Sequence, residues 1–224
     1  MADVNPPQTE RSRWQSTLLL LGVVVALRVF AFGQFVVQSG SMRPTLEVGD
    51  YLVTNKVAYG LRLPWLDTYL VRWSVPGRGD VVVFTSPEDG SDYVKRVIGE
   101  PGDVVSISGG ALSINGEPVT IVDQGKRDNW KGAGRVLPLK ALRVTRYEET
   151  FEGRSWQTQR WDDEVAWESE VVPEGHVVVL GDNRDDSLDS REFGAIELGR
   201  IKGRVSRIWW SGRTEGGTWL LPVP

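Results

Sequence analysis

From Thr17 to Val37 the chain reads TLLLLGVVVALRVFAFGQFVV, an apolar run broken only in its second half by Arg28 and Gln34. It is long enough to cross a hydrocarbon layer about 30 Å thick. Leu18 to Leu27 is apolar all round, whereas a core helix of a globular body keeps a polar face. The pattern predicts a retained membrane anchor over residues 17–37. Arg28 then snorkels to the far interface, and Val29 to Val37 rest as an interfacial or extended segment against the lipid. A cleaved leader fits less well, because the apolar part is long and no small-x-small pattern follows it directly. Arg11 and Arg13 precede the run, so residues 1–16 are expected as a cytoplasmic tail and the remaining chain on the other side of the membrane.

After the run the periodicity changes. DYLVTNKV, GDVVVFTS, DYVKRVIG, DVVSISGGALSINGEPV, HVVVLGD and GRVSRIWWS are short β-branched or aromatic runs punctuated by glycine, proline and aspartate, the pattern of strands. ISGGALSI predicts a hairpin with Gly109-Gly110 in its turn. From Asp123 to Pro173 the composition becomes charged and tryptophan-bearing, which marks an inserted β-rich subdomain between the two parts of a main β domain, residues 38–122 and 174–224. The expected fold class is mostly β behind a single N-terminal transmembrane helix. The closing LLPVP has no physical account from its pattern.

Composition removes several chemistries. With 26 basic against 30 acidic residues, the chain of 224 residues has a net charge of −4 and no cationic excess to bind nucleic acid. There is no cysteine, so disulfides and thiolate zinc are excluded and a covalent nucleophile must be an oxygen or an amine. His176, the single histidine, stands before VVVL as an ordinary strand-end residue. Ten tryptophans include Trp65, Trp73, Trp209 and Trp210, which suit either an interfacial belt or core packing.

Three stretches carry candidate chemistry. In QSGSMRPTL, Gly40 permits close backbone approach and Pro44 restricts the chain, so Ser41 can be presented on a fixed turn; a plain linker is the alternative. In DYVKRVIG, strand alternation places Tyr93, Lys95 and Val97 on one face and Val94, Arg96 and Ile98 on the other, so one cation of the pair points inward. Lysine is the one that can serve as a base, provided burial lowers its pKa by several units. LGDNRDDSLDSREFGAI suits a loop built on side-chain hydrogen bonds, with Ser187 in position to hold a lysine amine and Asp189 to pair with Arg191. A calcium loop using Asp182, Asn183, Asp185, Asp186 and Asp189 is the rival, but the glycine and glutamate of an EF-hand loop are missing.

Taken together, SGSMRPTL, GDYLVTNKVAYGLRLP, GDVVVFTSPEDGSDYVKRVIGEPGD and GDNRDDSLDSREFG resemble, in order and behind one anchor, the conserved boxes of bacterial type I signal peptidases. The resemblance implies Ser41 as nucleophile and Lys95 as general base, with Ser39 helping the Ser41 amide form the oxyanion hole. It further implies Ser187 as the residue that orients the lysine, Asp189 and Arg191 as a structural ion pair, and Asp182 and Asn183 as supports. Small substrate side chains would be read by a pocket pair lined by Phe35, Val36, Val37, Gln38, Met42 and Pro44. No metal or organic cofactor is implied. The implied partners are preprotein signal peptides, membrane lipid and the secretion translocon, and the implied location is the bacterial cytoplasmic membrane with the catalytic domain outside. Asp186 and Phe193 depart from the residues usual at their positions, asparagine and tryptophan. A self-cleaving Ser/Lys protease and a membrane-tethered binding protein are the alternatives.

Overall fold

A computed structural model describes residues 8–63, 68–129, 142–161, 166–212 and 218–223. The chain enters as α1 (Gln8–Ala26), tightens into a π-helical turn at Leu27–Ala31 and passes directly into strand β1 (Phe32–Val36). The expected span over residues 17–37 is therefore divided. Its first half lies on a helix whose Leu18, Leu19, Leu20 and Leu21 are exposed. Its end is a paired strand instead of a segment resting on lipid, in register from Phe32 opposite Asn55 to Val36 opposite Tyr51. Gly33 permits this close pairing, since a Cβ there would stand 2.4 Å from Thr54 Oγ1. Because α1 begins among polar residues and the apolar run continues beyond it, no helix among the described residues is long and apolar enough to cross a membrane.

The strands that follow are β2 (Tyr51–Asn55), β3 (Gly60–Arg62), β4 (Tyr69–Arg72), β5 (Val81–Thr85), β6 (Asp92–Gly99), β7 (Val105–Ser108), β8 (Ala111–Ile114) and β9 (Glu117–Pro118). Next come β10 (Thr120–Asn129), β11 (Leu142–Phe151), β12 (Arg154–Arg160), β13 (Trp167–Glu168), β14 (His176–Leu180), β15 (Ile196–Glu197), β16 (Ile201–Ser211) and β17 (Thr218–Pro222). A one-turn helix, α2 (Ser190–Phe193), separates β14 from β15. The mostly β class expected from the sequence is thus observed. The glycine pair of the predicted hairpin joins β7 to β8 with φ of 53° and 74°, the left-handed values that a two-residue turn matching the strand twist requires. LLPVP acquires its account here, because β17 adds to β16 with Arg207 opposite Pro222 and Trp210 opposite Trp219.

The largest sheet has eight strands in the order β1-β2-β16-β5-β6-β14-β15, with β17 also on β16. Its centre, β5 and β6, is covered on both faces. Val82, Phe84 and Val97 join Val177, Val179, Ile196 and Ile201 in one apolar cluster, while Ile98 and Leu180 join Val105, Leu112, Ile114 and Trp156 in another. A third cluster packs Met42 and Leu46, from the segment after β1, against Leu52, Val83 and Ile208.

β10, β11 and β12 form a separate three-stranded sheet, and β13 pairs with β7 in a third sheet. The charged region from Asp123 to Pro173 therefore contributes strands to two sheets. Trp156 of β12 and Phe151 of β11 are buried in the same cluster as Ile98 of β6, so the strands of this region share a core with the main sheet.

Candidate active site

Ser41 lies in a tight turn ten residues before the first residue of β2, closed at its base by Val37 N–H to Asp50 O and Gly49 N–H to Val37 O. Within the turn, Arg43 N–H donates to Gly40 O at 3.1 Å and Leu46 N–H to Met42 O at 2.9 Å. Met42, 1% exposed, and Leu46, 0%, nail the loop to the core, so the serine is carried by a rigid turn and not by a linker. Its hydroxyl faces a groove of about 1330 Å³.

Lys95 meets it there. The Lys95 Nζ lies 2.6 Å from Ser41 Oγ, and Ser39 Oγ lies 3.2 Å from the same oxygen. Lys95 is 3% exposed, and among the described residues no carboxylate is within ion-pair distance of its amine. Burial lowers its pKa to about 8, against the opposing pull of the more distant Asp189 and Asp182 and with help from Arg191.

The expectation that only one cation of the Lys-Arg pair points inward is corrected, because both faces of β6 are packed and Arg96 is 1% exposed. Arg96 Nε and Nη2 grip the two oxygens of Asp182 at 2.9 and 2.7 Å, and Nη1 donates to Gly79 O at 2.8 Å. Thr45 Oγ1 donates to the same carboxylate at 2.5 Å, tying the serine turn to Asp182. Neither the pairing of Arg96 with Asp182 nor the part of Thr45 shows in local pattern; the excess of carboxylates over cations in LGDNRDDSLDSREFG is the one sign that a partner comes from elsewhere.

The loop after β14 completes the site. Asn183 N–H donates to Ser41 O at 3.0 Å and its Nδ2 donates to Gly40 O at 3.1 Å, so this residue holds the serine turn from behind. Asp189 and Arg191 form the expected pair, with Nε–Oδ1 at 2.8 Å and Nη2–Oδ2 at 2.9 Å. Burial alone would raise the Asp189 carboxyl, but Arg191 and the Gly181 N–H hold it below its usual value. Ser187 lines the groove, yet its hydroxyl makes no hydrogen bond of normal geometry, and its nearness to Asp189 only helps to lower that acid. No hydrogen bond joins Ser187 to Lys95, so the expected lysine-orienting bond is not formed. Gly181 leaves the room this packing needs, since a Cβ there would meet Ser187 Oγ at 2.2 Å and Ser41 O at 2.6 Å.

Of the expected substrate-contacting residues, Phe35, Val36, Val37, Gln38 and Met42 line the groove and Pro44 does not; it is buried within the turn. The opposite wall carries Val94, Tyr93, Asp186 and Leu188. Phe193 packs edge-on against Phe84 at 6.2 Å, against the apolar cluster of Val82, Phe84 and Val97. Three of the four carboxylates of the calcium alternative are otherwise engaged: Asp182 with Arg96, Asp189 with Arg191, and Asp185 with the Trp161 N–H at 2.6 Å. Among the described residues no three acidic or histidine side chains converge on one point.

Comparison with known proteins gives a consistent answer. A family model described as "Signal peptidase, peptidase S26" matches residues 11–210. A signal peptidase I of Pseudomonas fluorescens is 37% identical over 206 residues, covering 86% of this chain and 69% of that protein. One from Pseudomonas aeruginosa is 36% identical over 204 residues with the same two coverages, 86% and 69%. A third, from Bacillus caldolyticus, is 33% identical over 201 residues, covering 90% of this chain and 92% of that protein.

Proposed function

The chain belongs to the signal peptidase family, peptidase S26, and from that premise we propose how its groove works as a type I signal peptidase. It is a serine endopeptidase whose substrates are preproteins carrying signal peptides. The observation that carries the mechanism is the 2.6 Å contact between a buried, unpaired Lys95 amine and the Ser41 hydroxyl. With a pKa of about 8, roughly one Lys95 in ten is neutral at pH 7, against about one in a few thousand for a free lysine. The neutral amine accepts the Ser41 proton as the oxygen attacks the scissile carbonyl, and then protonates the leaving amine. The Ser41 N–H and the Ser39 hydroxyl hold the oxyanion, and water admitted to the same lysine deacylates the enzyme. Asn183, Asp182, Asp189 and Arg191 keep this geometry fixed.

Among the described residues β1 pairs in the sheet with β2 alone, which leaves its outer edge for an extended substrate strand. Phe35, Val37, Met42, Val83 and Val94 give the groove a shallow apolar floor, suited to small side chains at the first and third positions before the cut. We assign residues 38–122 and 174–224 to the catalytic domain and 123–173 to an insertion. α1 and the following π-turn form the lower part of a membrane anchor, supported by the exposure of Leu18 to Leu21 and Val23 to Val25. The amino terminus then faces the cytoplasm and the groove opens outside the cytoplasmic membrane, within reach of the translocon. Tyr51, Trp209 and Trp219 form an exposed edge-to-face aromatic cluster, with Trp209 and Trp219 5.0 Å apart, that seats the sheet on lipid. Trp210 packs on Tyr51 beside it, Trp73 is exposed elsewhere, and Trp65 lies outside the described residues.

Ser41→Ala and Lys95→Ala are each expected to lower cleavage of a preprotein by about 10⁴-fold or more, measured with the full chain in detergent. Near-normal cleavage by either purified variant would remove the dyad assignment and favour a binding protein with structural serines.

A further inference from the structure

The sheet β10–β12 ends on an ion pair that the proposed chemistry does not use. Glu149 of β11 is 0% exposed, and Arg184, two residues after Asp182, is 5% exposed. Arg184 Nη2 donates to Glu149 Oε2 at 2.5 Å, while Trp156 Nε1 and Thr158 Oγ1 donate to the same carboxylate at 3.0 and 3.2 Å. The remaining nitrogens of the guanidinium, Nε and Nη1, are buried without a partner, so among the described residues Glu149 is the carboxylate that pairs with this charge. A buried ion pair with two unanswered donors is a poor way to gain stability. Something else accounts for its presence.

The backbone shows what it holds. β12 docks onto the active-site loop through Gln159 N–H to Asp182 O at 2.9 Å and Arg184 N–H to Gln159 O at 3.0 Å, an isolated parallel bridge opposite Asn183. Asn183 is the residue whose main chain and side chain grip Ser41 O and Gly40 O. Arg184 O accepts from Arg191 Nη2 at 2.5 Å, joining the same point to the Asp189–Arg191 pair. A short chain of contacts therefore runs from a carboxylate in the three-stranded sheet to the serine turn.

We propose that Glu149 is a positioning residue, and that through Arg184 and Asn183 the β10–β12 sheet sets the place of Ser41 relative to Lys95. This deepens the Ser/Lys assignment and rests on it. Neither residue touches the reacting atoms. Glu149→Gln keeps the shape and can still accept from Trp156 and Thr158, but it no longer offers the guanidinium a negative charge. A displacement of about 1 Å at a nucleophile costs up to 10²-fold in rate, so kcat is expected to fall roughly 10- to 100-fold while KM stays within about twofold.

The test is preprotein cleavage by the full chain in detergent, at a temperature where each variant is folded by circular dichroism. It compares wild type, Glu149→Gln, Thr158→Val and the apolar pair Glu149→Leu/Arg184→Met. The double variant removes both charges and is expected to restore the melting temperature without restoring kcat. Thr158→Val, the mildest change, is expected to lower kcat by about threefold with KM unchanged. Wild-type kcat in folded Glu149→Gln, or in folded Thr158→Val should the first variant not fold, would overturn the proposal. Recovery of kcat together with stability in the double variant would also overturn it by showing a merely structural pair. Because Ser41→Ala tests the dyad separately, an active Glu149→Gln beside an inactive Ser41→Ala sinks the positioning role alone.

Discussion

Lys95 and Arg96 are neighbours on β6, equally buried, and the fold treats their charges in opposite ways. On one face, Arg96 is surrounded by answers: both oxygens of Asp182, the Gly79 carbonyl, and the Trp156 ring 5.8 Å from its centre. On the other face, Lys95 has a serine hydroxyl and the edge of the groove, with Tyr93 5.6 Å away. A guanidinium cannot give up its proton at any working pH, so it must be paired to be buried. An ammonium can, and burial without a carboxylate at contact lowers its pKa to about 8. One face thus fixes a charge for architecture, and the other makes a charge removable for chemistry.

The largest effect that sharpens this contrast is on stability, and its sign differs between the two residues. Arg96→Met leaves Asp182, 0% exposed, with no counter-charge, and is expected to destabilise the fold by about 3–5 kcal/mol in urea unfolding of the full chain. Lys95→Met removes a cation that folding has to desolvate. The folded pKa of about 8 lies below the model-peptide value of 10.5, so between those values the unfolded chain binds more protons and stability rises with pH. Below pH 8 the wild-type lysine therefore carries a penalty of about 3 kcal/mol, and Lys95→Met is expected to be more stable than wild type at pH 7 by up to that amount. The gain should vanish as pH approaches 10.5. A Lys95→Met protein less stable than wild type at pH 7 would show that the amine is held by attractions the structure does not contain.

The same protonation step sets the activity profile. Cleavage by wild type is expected to rise with pH through an acid limb near pH 8, tenfold per unit on its lower side, when kcat/KM is followed on a preprotein substrate. A limb at pH 5 or below would point to a carboxylate base in place of Lys95, and would undo the functional half of the comparison while leaving the Arg96 half intact.

Much of this was legible in the sequence because it was written in local pattern. β6 was expected over DYVKRVIG and is found at Asp92–Gly99, and the Gly109-Gly110 turn follows from the pair itself. Ser41, Lys95 and the Asp189–Arg191 pair came from motifs that keep their members close in sequence or in a known order. Arg96 was misjudged because alternation assumes one solvated face, whereas β6 lies in the middle of a sheet covered on both sides by Val97 and Ile98 neighbours. Glu149 left no trace at all. Its partners Arg184 and Trp156 are brought to it by a strand pairing and a loop docking that no period in the sequence encodes. Val29 to Val37 are expected as an interfacial or extended segment, and only the register of Phe32 to Val36 with Tyr51 to Asn55 shows that this part is a strand of the main sheet.

The smallest expected effect concerns Asp186, which lines the groove that holds Ser41 and Lys95. Burial raises its own pKa, while Arg43 and Lys95 pull it back down, and in return its carboxylate is the weakest of the forces that raise the lysine. Asp186→Asn removes that charge without changing the side-chain volume. The lysine should then lose its proton slightly more easily, moving the acid limb of kcat/KM to lower pH by less than about one unit. Below pH 8 the amine's contribution to stability should fall, opposite in direction to the gain in the lysine variant, because a more depressed amine is a larger penalty. An acid limb that moves to higher pH in Asp186→Asn would mean the aspartate acts on Lys95 by excluding water and not by its charge. The groove wall, and not the carboxylates around it, would then be what keeps the amine neutral.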